Sequence, residues 1–264
     1  MYGLIVPVCL IASVAISQVA PVEFWENAYS AAGYGYTVAH DVCPAHGTGM
    51  VIAGSCFSQD MEINSHIYIL KLDETGTVVW ENTYQITSND VNIAWGISQT
   101  SSGYVLAGET GDSQNQSAFI ATINPDGNNF TSGTIQGECA VEAIQMENQL
   151  GYIVLGQTDT EQDRSFVFID KVDNFLTQIP RPAWNRWVHT EFGESSQRIN
   201  SYSYCNSIVE IPSAYGPDMG NHIALCFGRG NENTPANSMV GLLHPQGTVL
   251  VSSLEASSTG AGYF

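Results

Sequence analysis

All-β is the fold class this 264-residue chain predicts, and three observations predict it. First, a glycine-bounded apolar run recurs four times: Gly49–Gly54, Gly103–Gly108, Gly151–Gly156 and, in degraded form, Asn221–Gly228. Each has the length and flanks of a buried central strand. Second, each run sits inside a larger unit of alternating strands and turns. Third, nothing after the first twenty or so residues shows sustained helical periodicity. Four antiparallel strands per unit, repeated in tandem at propeller-blade spacing, predict a β-propeller of four-stranded antiparallel blades. A β-sandwich competes as an all-β reading but does not account for one internal pattern occurring four times.

The elements follow in order. Before each central run stands a strand: Thr37–Cys43, Asn92–Gln99, Ala140–Met146 and Tyr202–Ile211. After it come a polar loop and a third strand: His66–Leu72, Ala118–Ile123, Phe166–Val172 and Met239–Leu243. A turn closes each pair: Asp73-Glu74-Thr75-Gly76, Asn124-Pro125-Asp126-Gly127, Asp173-Asn174 and His244-Pro245-Gln246-Gly247. Asp and Asn there bond their own backbone, and Gly takes positive φ. A fourth strand completes each unit, giving repeats at roughly 36–84, 91–135, 139–191 and 199–255. Phe24–Tyr29 nearly duplicates Val79–Tyr84 and reads as an outer strand, within 22–30, of a blade whose inner strands lie elsewhere. Thr248–Leu254 competes for the same place. Either further repeats follow and the chain is a fragment, or the ring is small and four-bladed with a spare strand, donated to a neighbour.

The pattern Gly-Tyr-Val-Leu-Ala-Gly, a variable loop, then Lys-Leu-Asp-x-x-Gly-x-Val-x-Trp resembles the repeat of secreted bacterial β-propeller proteins, over residues 22 to about 255. The first unit matches well, the next two in part and the fourth poorly. The resemblance implies the fold and no particular activity. The Asp-x-x-Gly-x-x-x-Trp core is also similar, more distantly, to the tryptophan repeat of quinoprotein dehydrogenases. The vicinal Cys-Cys of that family is absent, so its cofactor is not implied. Lys71 stands where a sialidase Asp-box needs Ser.

Composition narrows the function classes. Charged residues make up 12% of the chain, about half the usual share. The net charge is −19, with lysine only at Lys71 and Lys171. No basic stripe exists to neutralise phosphates, so nucleic acid is excluded as a partner, and an anionic membrane surface is disfavoured. Leu4–Ile16 is an apolar run of signal-peptide length and Ala15-Ile16-Ser17 a small-x-small cleavage site, predicting a signal over 1–17, a mature propeller domain over 18–264 and a secreted or cell-surface protein. No Lys or Arg precedes the run, so the true start lies upstream or the signal is atypical. A membrane anchor is the alternative, though the run is short and broken by Pro7, and no stable span is expected once the signal is removed. Secretion permits disulfides. Cys43 is expected to pair with Cys56 on the next strand, and Cys205 with Cys226 in the same places of the fourth unit.

Site chemistry is sparse. Trp25 and Trp80 fit packing between sheets, and Asp73, Asn124 and Asp173 fit turn capping. The loops after each second strand carry Asp60, Glu62, Glu109, Asp112, Asp159, Glu161, Asp163 and Glu232. That face reads as a solvated acidic surface, the alternatives being uptake of Ca²⁺ through carboxylate and amide oxygens or hydrogen bonding of a sugar through the many Asn and Gln. No other cofactor is expected. The opposite face carries two insertions with Phe175, Arg181, Trp184, Arg186 and Tyr215. Aromatics interleaved with Arg suit contact with an extracellular protein or a glycan, the other reading being a small satellite core. His40 and His46 flank Cys43 as a conceivable Cys–His pair, and no recognised catalytic motif is present. Three functions follow: a secreted non-catalytic binding or scaffold module, a propeller enzyme acting on a polysaccharide through carboxylates of several blades, or a structural subunit assembling by strand exchange.

Overall fold

The computed structural model describes residues 25–58, 64–88, 91–112, 115–137, 139–146, 151–160, 164–178, 187–188, 201–211, 223–231, 234–243 and 249–251. They form sixteen strands in four sheets, each antiparallel, with no helix among the described residues. Blade 1 is β1 (Tyr36–Pro44), β2 (Met50–Phe57), β3 (Ser65–Leu72) and β4 (Val78–Tyr84); blade 2 is β5 (Val91–Thr100), β6 (Gly103–Gly111), β7 (Gln116–Ile123) and β8 (Thr131–Ile135). Blade 3 is β9 (Cys139–Gln145), β10 (Tyr152–Thr160), β11 (Arg164–Val172) and β12 (Trp187–Val188); blade 4 is β13 (Ser201–Glu210), β14 (Ile223–Asn231), β15 (Thr234–Leu243) and β16 (Val249–Val251). Strand order within every sheet is sequential. These are β-propeller blades, and the glycine-bounded runs are their second strands.

The second glycine of each of the first three runs has a packing reason. Gly54 pairs across the ladder with Tyr68, Gly108 with Phe119 and Gly156 with Phe168. A side chain on Gly108 would collide with the Phe119 ring, and one on Gly156 with the Phe168 ring. Glycine there opens the space that a fully buried aromatic fills. In blade 4 the position in register with these glycines is Phe227, paired with Met239.

First strands pack against one another from blade to blade: β1 on β5, β5 on β9 and β9 on β13. Each carries a bulge at the same place, skipping His40, Trp95, Val141 and Asn206 in the register with its second strand. A bulge bends the strand and re-aims the residues beside it. The residue following it, Asp41 in blade 1 and Glu142 in blade 3, reaches the next blade. Asp41 Oδ2 accepts from Ile97 N at 2.8 Å and Glu142 Oε2 from Ile208 N at 2.8 Å. Blade 2 has Gly96 there, and its backbone lies directly against the Val141 carbonyl. Buried apolar side chains fill the two junctions, with Val51, Ile69, Ile97, Leu106 and Phe119 between blades 1 and 2, and Val105, Ile120, Val154 and Phe168 between blades 2 and 3.

Blades are also clasped at their outer edges. Trp80 of β4 lies on the turn of the next blade. Its Nε1 donates to Pro125 O at 3.2 Å, Asn82 Nδ2 donates to Gly127 O at 3.0 Å, and the Tyr84 hydroxyl donates to the same carbonyl. The N-terminal copy does the same one blade earlier: Trp25 Nε1 donates to Glu74 O at 3.1 Å and the Tyr29 hydroxyl to Gly76 O at 2.6 Å. Residues 25–30 belong to none of the four sheets. They nevertheless hold, against blade 1, the place that β4 holds against blade 2.

The expected Cys43–Cys56 disulfide is corrected. Both thiols are free. Cys43 pairs in register with Val51 and Cys56 with Thr37, so the two stand at opposite ends of the hairpin. Five residues of strand separate Val51 from Cys56, about 16 Å, far beyond the reach of a disulfide. Burial pushes the Cys43 thiol up to about 12, with Asp41's charge adding, and the Cys56 thiol up to about 11. An unfolded thiol ionises near 8.5, so folding favours the protonated form and stability falls as pH rises from about 8.5 toward 11. Iodoacetamide at pH 8 is expected to leave both residues unmodified in the native protein and to alkylate both in urea, read by peptide mass. Cys205 and Cys226 lie on adjacent strands, opposite Phe227 and Ser207 across the bulge of blade 4. Residues 1–17 lie outside the described residues.

Candidate functional site

Three of the four turns between third and fourth strands are described, and they share one chemistry. Asp73 Oδ1 accepts from Thr75 N at 2.8 Å, Thr75 Oγ1 at 2.7 Å and Thr77 N at 2.9 Å. Asn124 Oδ1 accepts from Asp126 N at 3.2 Å and Asn128 N at 2.8 Å. Asp173 Oδ1 accepts from Phe175 N and Thr177 N, both at 2.9 Å. The Thr75 hydroxyl, with the backbone donors, holds the Asp73 carboxyl below its ordinary value. These side chains cap their own turns. The described residues hold no cluster of three or more His, Cys, Asp or Glu able to grip a metal ion.

The Cys–His constellation is not assembled. His40 Nε2 meets Ser55 Oγ at 3.2 Å, and the His40 ring lies on Trp95 at 4.3 Å. His46 Nε2 meets Gly103 O at 3.1 Å. Cys43 is buried with its thiol raised, the reverse of an activated nucleophile. Asp41 and Glu142 are each engaged with a main-chain N–H of the next blade. Burial holds the Glu142 carboxyl above the ordinary carboxylate range, Asp41's charge adding slightly and the Ile208 N–H opposing.

A cleft of about 470 Å³ opens between blades 2 and 3, on the face that carries the hairpin turns. Blade 2 contributes Thr100, Ser101, Ser102, Thr122 and Asn129; blade 3 contributes Gln145, Tyr152 and Asn174. Its origin is visible by comparison with the preceding junction. There the β1–β2 loop, five residues (45–49) between the Pro44–Met50 pair, reaches blade 2. His46 N donates to the Tyr104 hydroxyl at 2.9 Å. The β5–β6 loop is shorter, only Ser101 and Ser102 between the Thr100–Gly103 pair. Its Ser101 N is tied instead to Gln145 Oε1 at 2.7 Å. Tyr152, the counterpart of Tyr104, is therefore uncapped. It is 6% exposed, lines the cleft and makes no hydrogen bond through its hydroxyl among the described residues. Every cleft-lining side chain is uncharged.

Among the residues singled out in the sequence, Phe175 stands at the tip of the blade 3 turn and is 88% exposed. It buries nothing of its own, so the satellite-core reading does not apply to it. Arg181, Trp184, Arg186 and Tyr215 lie outside the described residues, as do most of the acidic loop residues. The cleft residues carry no sequence motif, because the ends of four hairpins on two blades supply them.

No known family model matches the chain, and no curated protein is similar to it in sequence. Solved structures are similar in fold at low identity. A hypothetical protein from Leishmania major shares 11% identity at a TM-score of 0.45, over 83% of this chain and 66% of that one. Kuenenia stuttgartiensis hydrazine synthase shares 10% at 0.43, over 87% and 68%. Synechocystis apocarotenoid oxygenase shares 13% at 0.46, over 85% and 51%. The chain thus spans between about half and two thirds of the length of these structures.

Proposed function

We propose that this chain is a secreted or cell-surface, non-catalytic binding module whose ligand is a neutral oligosaccharide held in the cleft between blades 2 and 3. The observation that carries the reading is the cleft itself: a lining of uncharged donors and acceptors around a nearly buried tyrosine whose hydroxyl has no partner among the described residues. Hydroxyl-rich ligands are recognised by such convergent neutral groups. A net charge of −19 repels anionic sugars and selects for uncharged ones. The signal-like leader supports an extracellular setting. The engagement of Asp41 and Glu142 in holding neighbouring blades together favours binding over hydrolysis.

Tyr152→Phe removes one oxygen atom and no packing. In titration calorimetry against a panel of neutral oligosaccharides, the wild-type protein is expected to bind at least one. The variant should weaken that binding by about three- to tenfold, the worth of one hydrogen bond, with an unchanged Tm. Failure of every panel member to bind the wild type at millimolar concentration overturns the reading.

A further inference from the structure

We infer that Phe175 forms a second subsite beside the cleft, stacking on the apolar face of a pyranose ring that extends out of it. The inference rests on the cleft reading above and deepens it to an oligosaccharide of at least three or four rings. Phe175 follows Asn174, a cleft-lining residue, directly in the chain. Its turn is fixed at both ends. Asp173 Oδ1 accepts from Phe175 N at 2.9 Å, and Leu176 N donates to Asp173 O at 3.0 Å. Leu176 is 4% exposed, packs in the core between blades 2 and 3, and is held at φ 59°. The left-handed region is costly for a leucine, and persists because the surroundings impose it. Leu176 also lies against Gly133 of β8: a methyl group on that glycine would stand 3.1 Å from Leu176 Cβ. The turn is thereby pinned to blade 2 across the junction where the cleft lies.

Its consequence is an aromatic side chain on a rigid mount. The corresponding turn positions hold Thr75 and Asp126, which suit solvent; the third holds a phenyl ring left almost wholly in water. A large apolar side chain so exposed on a pinned turn marks a contact. A phenyl ring fits the C–H face of a pyranose, whose hydroxyls project from the ring edge and so can meet the polar groups of the neighbouring cleft. The partner is thus amphipathic in the way a neutral sugar chain is, with its first two rings in the cleft and a later one on Phe175.

The test compares two lengths of whichever neutral oligosaccharide binds the wild type: a disaccharide that fills the cleft, and a hexasaccharide of the same linkage. Phe175→Ala is expected to weaken the hexasaccharide about tenfold and leave the disaccharide and the Tm unchanged. Phe175→Trp should hold or strengthen hexasaccharide binding. Equal hexasaccharide affinity for wild type and Phe175→Ala overturns the second subsite while leaving the cleft standing. Absence of wild-type binding to either length overturns both.

Discussion

Trp80→Ala is expected to lower stability by about 2–4 kcal/mol, somewhat below the usual loss for a fully buried tryptophan, and the Tm by about 5–12 °C. Trp80 is half-buried, packs on the core between blades 1 and 2, and covers the turn of blade 2. Truncation removes the ring from Gly127, leaves the Pro125 carbonyl to water, and loosens Asn82 and Tyr84, which bond the Gly127 carbonyl from the same strand. Tyr84 also stacks on Phe130 at 4.5 Å, so the loss spreads along the outer edge of the junction. Trp80→Phe keeps an aromatic ring in this place but loses one hydrogen bond and part of the indole's packing. It should cost about 1 kcal/mol. Calorimetric melting of both variants measures the difference. A Tm within 2 °C of wild type for Trp80→Ala would show that the first strands alone hold blades 1 and 2 together.

The blades were legible in the sequence because their signals are local. Glycine-bounded apolar runs and Asp-x-x-Gly turns each lie within a few residues, and each maps to one strand or one turn. The clasp was not, because Trp80 meets a glycine forty-seven positions later, in the next repeat. Only the similarity of Phe24–Tyr29 to Val79–Tyr84 hinted that these residues share a task. The hairpin cysteines mislead because adjacent strands do not make adjacent residues. Positions equidistant from a turn are the ones that pair, and Cys43 lies just before its turn while Cys56 lies at the far end of β2. The cleft left no trace at all. It follows from a loop shorter than its counterpart, and its lining comes from Thr100 to Asn174 across two blades.

The second large effect concerns how neighbouring blades recognise one another. Gly76 and Gly127 sit at φ 77° and 73°, each beneath a tryptophan: a methyl group on Gly127 would stand 2.9 Å from the Trp80 ring, and one on Gly76 would stand 2.6 Å from that of Trp25. At the third turn the sizes are exchanged. Leu176 replaces the glycine, and Thr131-Ser132-Gly133-Thr134-Ile135 replaces Trp80-Glu81-Asn82-Thr83-Tyr84, so that Gly133 yields the space Leu176 takes. A tryptophan clasp therefore accepts only a glycine turn, and a glycine clasp accommodates a leucine turn. Gly127→Leu should destabilise by about 3–5 kcal/mol, combining a left-handed leucine with an overpacked junction. Adding Trp80→Thr and Asn82→Gly, which transplants the second clasp into the first junction, should recover part of that loss. Urea denaturation of the single, double and triple variants reads the coupling, expected at about 1–3 kcal/mol. Strict additivity would mean that the two turns are tolerated independently of the strand that covers them, and that blade order in this chain is fixed by the first-strand contacts of Asp41, Gly96 and Glu142 instead.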